Sequence, residues 1–197
     1  MPVSDLPTPE EIAAGPFAQW LADFRASLRG TQGMEVPCGD CVGCCISGYP
    51  VWLRPSDTRA LARIPVTVLF SSSGIPADHR LMLAREDGSC PMLSDRKCTI
   101  YADRPQTCLD YDCRVFAAAA IAAGGDDRSV INHRVRAWRF SYPTPEDERV
   151  HEAVRAAAAF IRDHGTSFPG RAPSAPSGVA VLAVKSYGVF LDPSLAS

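Results

Sequence analysis

Hydrophobic residues recur at helical spacing in three parts of the chain. The first part follows Gly15-Pro16 and predicts an amphipathic helix over residues 16–29. The second predicts a helix over residues 104–123, which ends at a glycine pair. The third predicts a helix over residues 145–164, with acidic residues in its first turn at the positive end of the helix dipole. Each helix has an apolar face of its own, so we expect the three to pack around the segments between them.

Short runs of β-forming residues lie between and after these helices. Ser56 or Asp57 is placed to cap a further short helix that ends before Pro65. Residues 165–178 are rich in proline, glycine and serine, which predicts a linker or mobile loop. Strands are predicted over residues 49–53, 66–70, 80–85, 134–142 and 179–191.

These elements predict an α+β fold, in one small domain of helices and a few short strands organised around a cysteine-ligated metal site. We expect residues 1–33 to contribute an N-terminal amphipathic helix and residues 34–125 to form the metal-binding part. Residues 126–164 would complete the domain with a strand and a helix. Residues 165–197 would form the linker and a C-terminal strand.

Composition and charge exclude several classes of protein. Hydrophobic residues make up 46% of the 197 and charged residues 21%, which excludes global disorder. The formal net charge of −2 provides no basic surplus for phosphates or anionic lipids, so neither a nucleic acid nor a membrane is a predicted partner. Residues 1–11 lack the basic and apolar regions of a signal peptide, which leads us to expect a cytoplasmic protein.

Eight cysteines carry the candidate chemistry. In a reducing cytoplasm, clustered cysteines are better explained by metal ligation or redox chemistry than by disulfides. The first group has the pattern C-x2-C-x2-C-C, and the spacings in the second group are seven, nine and four residues. All eight are predicted metal ligands: Cys38, Cys41, Cys44 and Cys45 in the first group, and Cys90, Cys98, Cys108 and Cys113 in the second.

The spacing leaves the metal open between an iron–sulfur cluster and zinc. Three cysteines at successive three-residue intervals occur in bacterial ferredoxins, which favours a cluster such as [4Fe–4S] on Cys38, Cys41, Cys44 and a distant cysteine. Zinc stays open because thiolates suit both, and eight thiols are enough for two tetrathiolate zinc sites. The adjacent pair Cys44-Cys45 requires either a shared site at a distorted turn or a different ion for each sulfur.

The order of the cysteines and their neighbours resembles the CxxCxxCC cysteine-cluster family, also called YkgJ-type and described as zinc- or iron-chelating. The resemblance implies a metal-binding domain of poorly defined biochemical role, and a similar cluster occurs in flagellin lysine N-methylase-like proteins. Residues 109–112 depart from the family pattern, in which a basic and an aromatic residue are usual. The matching motifs are Cys38-x2-Cys41-x2-Cys44-Cys45, Gly88-x-Cys90-Pro91-x-Leu93, Cys98-Thr99-Ile100-Tyr101, Arg104-Pro105 and Cys108-x4-Cys113.

Other residues add little to this interpretation. The common nucleotide-binding, hydrolase and metalloprotease motifs are absent, no residue is predicted to be catalytic, and whether the chain is an enzyme stays open. His151 and His164 are predicted to be solvated, and Asp110 and Asp112 to face solvent or pair with nearby arginines. The alternatives to a metal-binding protein of undefined role are an enzyme that uses the cluster to modify a partner protein, and a metal-delivery or redox-sensing module.

Overall fold

A computed structural model of the chain describes residues 9–30, 32–167 and 172–191. Helices and a few short strands make up the fold, which confirms the predicted α+β class. By their contacts the described residues form two compact units: residues 9–30 with 112–167 and 172–191, and residues 32–111. No helix in the described ranges has both the length and the apolar character needed to cross a bilayer.

The regular elements are short outside the first and third predicted helices. The described α-helices are α1 (Phe17–Leu28), α2 (Thr58–Arg63), α3 (Gln106–Asp110), α4 (Arg114–Ala118), α5 (Ser129–Ala137), α6 (Pro145–His164) and α7 (Pro176–Ser186). The described strands are β1 (Ile12–Pro16), β2 (Val51–Leu53), β3 (Leu69–Phe70), β4 (Arg80–Met82), β5 (Leu93–Ser94), β6 (Lys97–Cys98) and β7 (Trp138–Ser141).

The larger unit is built on α1 and α6, both close to their predicted bounds. Strand β1 runs parallel to β7, and α1 follows β1 directly. A capping box starts α6, because the Thr144 side chain accepts from the Asp147 backbone N–H while the Asp147 carboxylate accepts from the Thr144 N–H. Helix α6 packs against α7, α1 and α4.

The prediction of one continuous helix over residues 104–123 is wrong. It divides into α3 and α4, because Tyr111 is extended and the Asp112 carboxylate accepts the backbone N–H of Arg114 at 2.9 Å. This local bond between side chain and backbone competes with continuation of the first helix, and a new helix begins at Arg114. Ala120 then adopts a positive φ of 52°, soon after α4 ends.

The strand predicted over residues 179–191 is also wrong, because the segment forms α7 and a 3-10 turn over 187–190. Ala180, Ala183 and Val184 are fully buried at helical spacing, which outweighs the β-forming tendency of the valines. Residues 168–171 of the predicted linker lie outside the described residues. The strand predicted over residues 134–142 is helical in α5 up to residue 137 and extended only in β7.

The smaller unit, residues 32–111, has a limited hydrophobic core. Strands β2, β4 and β3 form an antiparallel sheet in that order, and β5 pairs with β6 in a hairpin. The strands predicted over 49–53, 66–70 and 80–85 are present but only two or three residues long. The buried hydrophobic residues of this core are Leu53, Ala60, Ile64, Met82 and Ile100.

His151 is buried rather than solvated, which corrects the prediction made for it. Its ring stacks on Phe17 with 4.1 Å between ring centroids. Nε2 donates to the carbonyl of Ala118 at 3.0 Å, so Nδ1 of the neutral ring accepts from the Tyr142 hydroxyl at 2.8 Å. Burial, together with the charge of Arg155, lowers the pKa of His151 to about 4.

Acidification is expected to destabilise the protein through this histidine. A pKa near 4 in the folded chain, against about 6.5 in the unfolded chain, means that the stabilisation is complete above pH 6.5 and falls as the pH drops towards 4. The loss attributable to His151 is about 2 kcal/mol at pH 5. We expect His151→Gln, which cannot be protonated there, to lose less stability than the wild type between pH 7 and pH 5 in urea titrations. Equal losses in the two proteins would contradict the assignment.

Candidate metal centre

The first cysteine group curls back on itself in a tight loop. The backbone N–H of Cys41 donates to the Cys38 carbonyl at 3.0 Å, and that of Cys45 donates to Val42 at 2.8 Å. Gly39 adopts a positive φ of 58°, which an L side chain rarely tolerates, so glycine suits this turn. The N–H of Gly43 points at the Cys41 sulfur, 3.5 Å away, at the start of a 3-10 turn over Gly43–Ile46.

The two adjacent cysteines converge inside this 3-10 turn. The Sγ atoms of Cys44 and Cys45 lie 3.9 Å apart, within hydrogen-bonding distance for sulfur. The hydrogen bond from Cys44 lowers the pKa of Cys45 to about 7, while the same bond, burial and the negative charge of Cys45 raise the pKa of Cys44. The pair therefore has one sulfur that ionises near neutral pH beside one that holds its proton. The bent backbone at this turn fits the alternative in which both sulfurs share one metal site.

Main-chain hydrogen bonds join the second cysteine group to the first. The N–H of Cys90 donates to the carbonyl of Cys45 at 2.6 Å, and the N–H of Gly48 donates to the carbonyl of Gly88 at 2.8 Å. Gly88 has a positive φ of 81°. The structure thus brings together two sequence segments that are separated by about 45 residues.

Burial favours the protonated thiol at Cys90, Cys98 and Cys108 of the second group in the absence of metal. It raises the pKa of Cys108 to about 12 and also raises those of Cys90 and Cys98. All three thiols respond to the negative charge of Cys45, which places them within its electrostatic reach. The guanidinium of Arg104 acts in the opposite direction on Cys98 and Cys108, and would help to stabilise their thiolates.

Cys113 belongs to the larger unit, where it is buried. The indole N–H of Trp138 donates to its sulfur at 3.3 Å. Its neighbours Asp112 and Arg114 form an ion pair with 2.8 Å between Arg114 Nη2 and Asp112 Oδ2, as the alternative of pairing with a nearby arginine predicted. Its assignment as a metal ligand stays a prediction.

The cysteine thiols are chemically suited to bind zinc or iron, and the distance between one pair of sulfurs matches that of two ligands on one zinc ion. All eight cysteines are free thiols, the soft donors that these metals accept. Two sulfurs on one tetrahedral zinc ion lie about 3.8 Å apart because each Zn–S bond is about 2.3 Å, and Cys44 and Cys45 are 3.9 Å apart. Across residues 9–30, 32–167 and 172–191, no three or more His, Cys, Asp or Glu side chains are already arranged to hold an ion. Binding would therefore require further thiols to turn towards this pair.

Arg85 supports the site in a way that the sequence analysis missed. Its guanidinium donates to the Pro91 carbonyl at 2.8 Å and to the Ser89 hydroxyl at 3.2 Å, and so braces the segment that carries Cys90. The only signal in the sequence is its place just before the Glu86-Asp87-Gly88 turn.

The aromatic residues near the cysteines in sequence are only partly buried. Tyr101 is 60% exposed, and the guanidinium of Arg104 lies 4.1 Å from its ring centroid. Tyr111 is half-buried and packs against Tyr49, while Trp52 is 42% exposed.

Comparison with known families supports the metal assignment in general terms. Residues 37–126 match the model of the CxxCxxCC family, whose description is "Putative zinc- or iron-chelating domain". The matched segment contains all eight cysteines. No curated protein and no solved structure matches the chain.

Proposed function

We propose that this chain, whose residues 37–126 match the CxxCxxCC family model, holds one zinc ion with Cys44 and Cys45 as two of its four ligands. The separation of 3.9 Å between their sulfurs carries the proposal. In a cubane cluster each iron takes one cysteine, which sets the cysteine sulfurs farther apart than ligands of a single ion. A pair this close favours one ion.

Cys90 and Cys108 are the proposed remaining ligands. The peptide of Cys90 is bonded to the carbonyl of Cys45, so its side chain starts close to the pair. Cys108 interacts electrostatically with both Cys44 and Cys45. Four thiolates close the coordination shell, which is the arrangement of a structural zinc site rather than a catalytic one.

The proposed role of the ion is to stabilise residues 32–111. This unit combines a small core with strands of two or three residues and helices of five or six. Domains with a small core are often stabilised by a disulfide or a metal. Bound zinc would supply the cross-link between the two cysteine groups.

Metal analysis of the full chain tests this proposal. Protein purified without oxygen is expected to be colourless and to hold one zinc per chain. Cys44→Ser, Cys45→Ser, Cys90→Ser and Cys108→Ser should each lower zinc content or raise the Kd for zinc by at least about tenfold. Cys113→Ser is the matched control and should retain zinc. Full zinc content and affinity in the first four variants would refute this ligand set.

An iron–sulfur cluster on Cys38, Cys41 and Cys44 is the second candidate function. The N–H of Gly43 directed at the Cys41 sulfur favours it, because hydrogen bonds to cysteine sulfur stabilise cluster ligands and tune their potential. Iron, acid-labile sulfide and visible charge-transfer absorption, all lost in Cys41→Ser, would favour this candidate over zinc.

A further inference from the structure

The larger unit contains a wide-mouthed cavity, open to solvent, that the proposed metal function does not use. Its volume is about 550 Å³, within the range of small-molecule binding sites. Phe116, Val135 and Trp138 form an apolar floor. The residues that contribute to the rim are Ala120, Ile121, Ala122, Gly124 and Gly125. All of its lining residues belong to this one unit.

Two guanidinium groups at the cavity are not neutralised. Arg136 and Arg155 line it from α5 and α6, and no carboxylate in the described part of the chain lies within 4 Å of either guanidinium. A third arginine, Arg139, is paired with Glu11 at 2.8 Å. Asp126 is the one acidic lining residue. The positive charges of Arg136 and Arg155 outnumber the negative charge of Asp126 by one, and the charges of Arg139 and Glu11 cancel. The cavity therefore carries a net charge of about +1.

The rim of the cavity is held in a defined conformation by a buried amide. The Asn132 side chain accepts the backbone N–H of Ala123 at 2.7 Å and donates to the carbonyl of Gly124 at 3.0 Å. Ala120, also on the rim, has a positive φ of 52° that is uncommon for alanine. A cavity with a fixed rim binds its ligand at a smaller cost in conformational entropy.

We propose that this cavity binds a small organic monoanion: a carboxylate head held by Arg136 and Arg155, with an apolar body against Phe116, Val135 and Trp138. The apolar floor requires a hydrophobic body, and the two guanidinium groups require an anionic head. A site with a net charge of about +1 can neutralise a monoanionic carboxylate, whereas a dianionic phosphate ester would keep one uncompensated charge and lose more hydration on entering the site.

Calorimetric titration of the full metal-loaded chain with octanoate tests the proposal. We expect saturable binding of one octanoate per chain, with octanol and acetate at least about tenfold weaker because each lacks one of the two required parts. Octyl phosphate should bind more weakly than octanoate at a pH where it is dianionic. Tighter binding of octyl phosphate, or equal binding of octanol, would overturn the proposed ligand class.

Variants locate the binding to this cavity. Arg136→Gln and Arg155→Gln should each weaken octanoate binding by about tenfold or more, since each removes one charge-assisted contact. Arg162→Gln is the matched control on α6, because Arg162 pairs with Asp163 and does not line the cavity. Ala122→Phe should reduce binding by filling the exposed edge of the cavity. Unchanged affinity in both Arg136→Gln and Arg155→Gln, or no saturable octanoate binding to the wild type, would refute the site.

Discussion

Removal of the metal is expected to unfold residues 32–111 while α1 and α6 of the larger unit keep their structure. The core cluster of the smaller unit has five buried hydrophobic residues with partly buried ones packed around them, whereas the larger unit contains a 20-residue capped helix and its own apolar packing. Structural zinc contributes about 10–16 kcal/mol of apparent binding free energy in small zinc-dependent folds. Loss of that contribution would be comparable to the whole stability of a typical domain, about 5–15 kcal/mol.

Hydrogen exchange measured by mass spectrometry on the full chain, with and without chelator, gives the readout for each unit. Peptides covering β2, β4 and α3 should lose protection on chelation, and peptides covering α6 should keep theirs. Re-addition of zinc provides the control for reversibility. Persistent protection of β2 and β4 in metal-free protein would show that the small core suffices and would contradict a structural role for the ion.

The helices that could be predicted are those whose signals are local. Helix α1 has a one-sided apolar pattern and α6 a capping box, and both lie within one residue of the predicted bounds. Helix α7 is apolar on most sides, so periodicity could not separate a buried helix from a strand. The burial of His151, by contrast, was predictable from the sequence. Its position follows the same helical spacing as Val154, Ala158 and Ile161, which are buried on α6.

The candidate site could be predicted as a set of residues but not as an arrangement. Spacing alone identified the cysteines, and the alternative of a shared turn for Cys44 and Cys45 was already open. The link from Cys90 to Cys45 is a tertiary hydrogen bond between main-chain atoms, which carries no residue preference and leaves no trace in the sequence. The bond from Trp138 to Cys113 depends in the same way on how α4 and β7 pack.

Substitution of Asp112 by alanine is expected to cost about 3–5 kcal/mol of the free energy of unfolding, because it leaves a buried charge unpaired. The carboxylate is buried, accepts the indole N–H of Trp20 at 2.9 Å and pairs with Arg114. Arg114 is 7% exposed and also donates to the Ala14 carbonyl at 3.0 Å, so its guanidinium could not reach water without breaking the contact with β1. The same carboxylate accepts the first backbone N–H of α4, and loss of that bond adds to the cost.

Denaturant titration of the zinc-loaded chain, followed by tryptophan fluorescence, measures this cost, and Asp112→Asn separates its components. The carboxylate accepts the Trp20 indole N–H on Oδ2 and the first N–H of α4 on Oδ1. Asparagine keeps only one of these two acceptor oxygens and removes the charge that neutralises Arg114, so it should fall between the wild type and Asp112→Ala. Asp110→Asn is the matched control, since Asp110 faces a half-exposed Arg54 at 3.6 Å and such pairs contribute less than about 1 kcal/mol. Zinc content measured in the same samples shows whether the substitution at Asp112, next to Cys113, also alters metal binding. A loss below about 1 kcal/mol in Asp112→Ala would mean that Arg114 finds another partner, and that the ion pair does not hold α4 against β1.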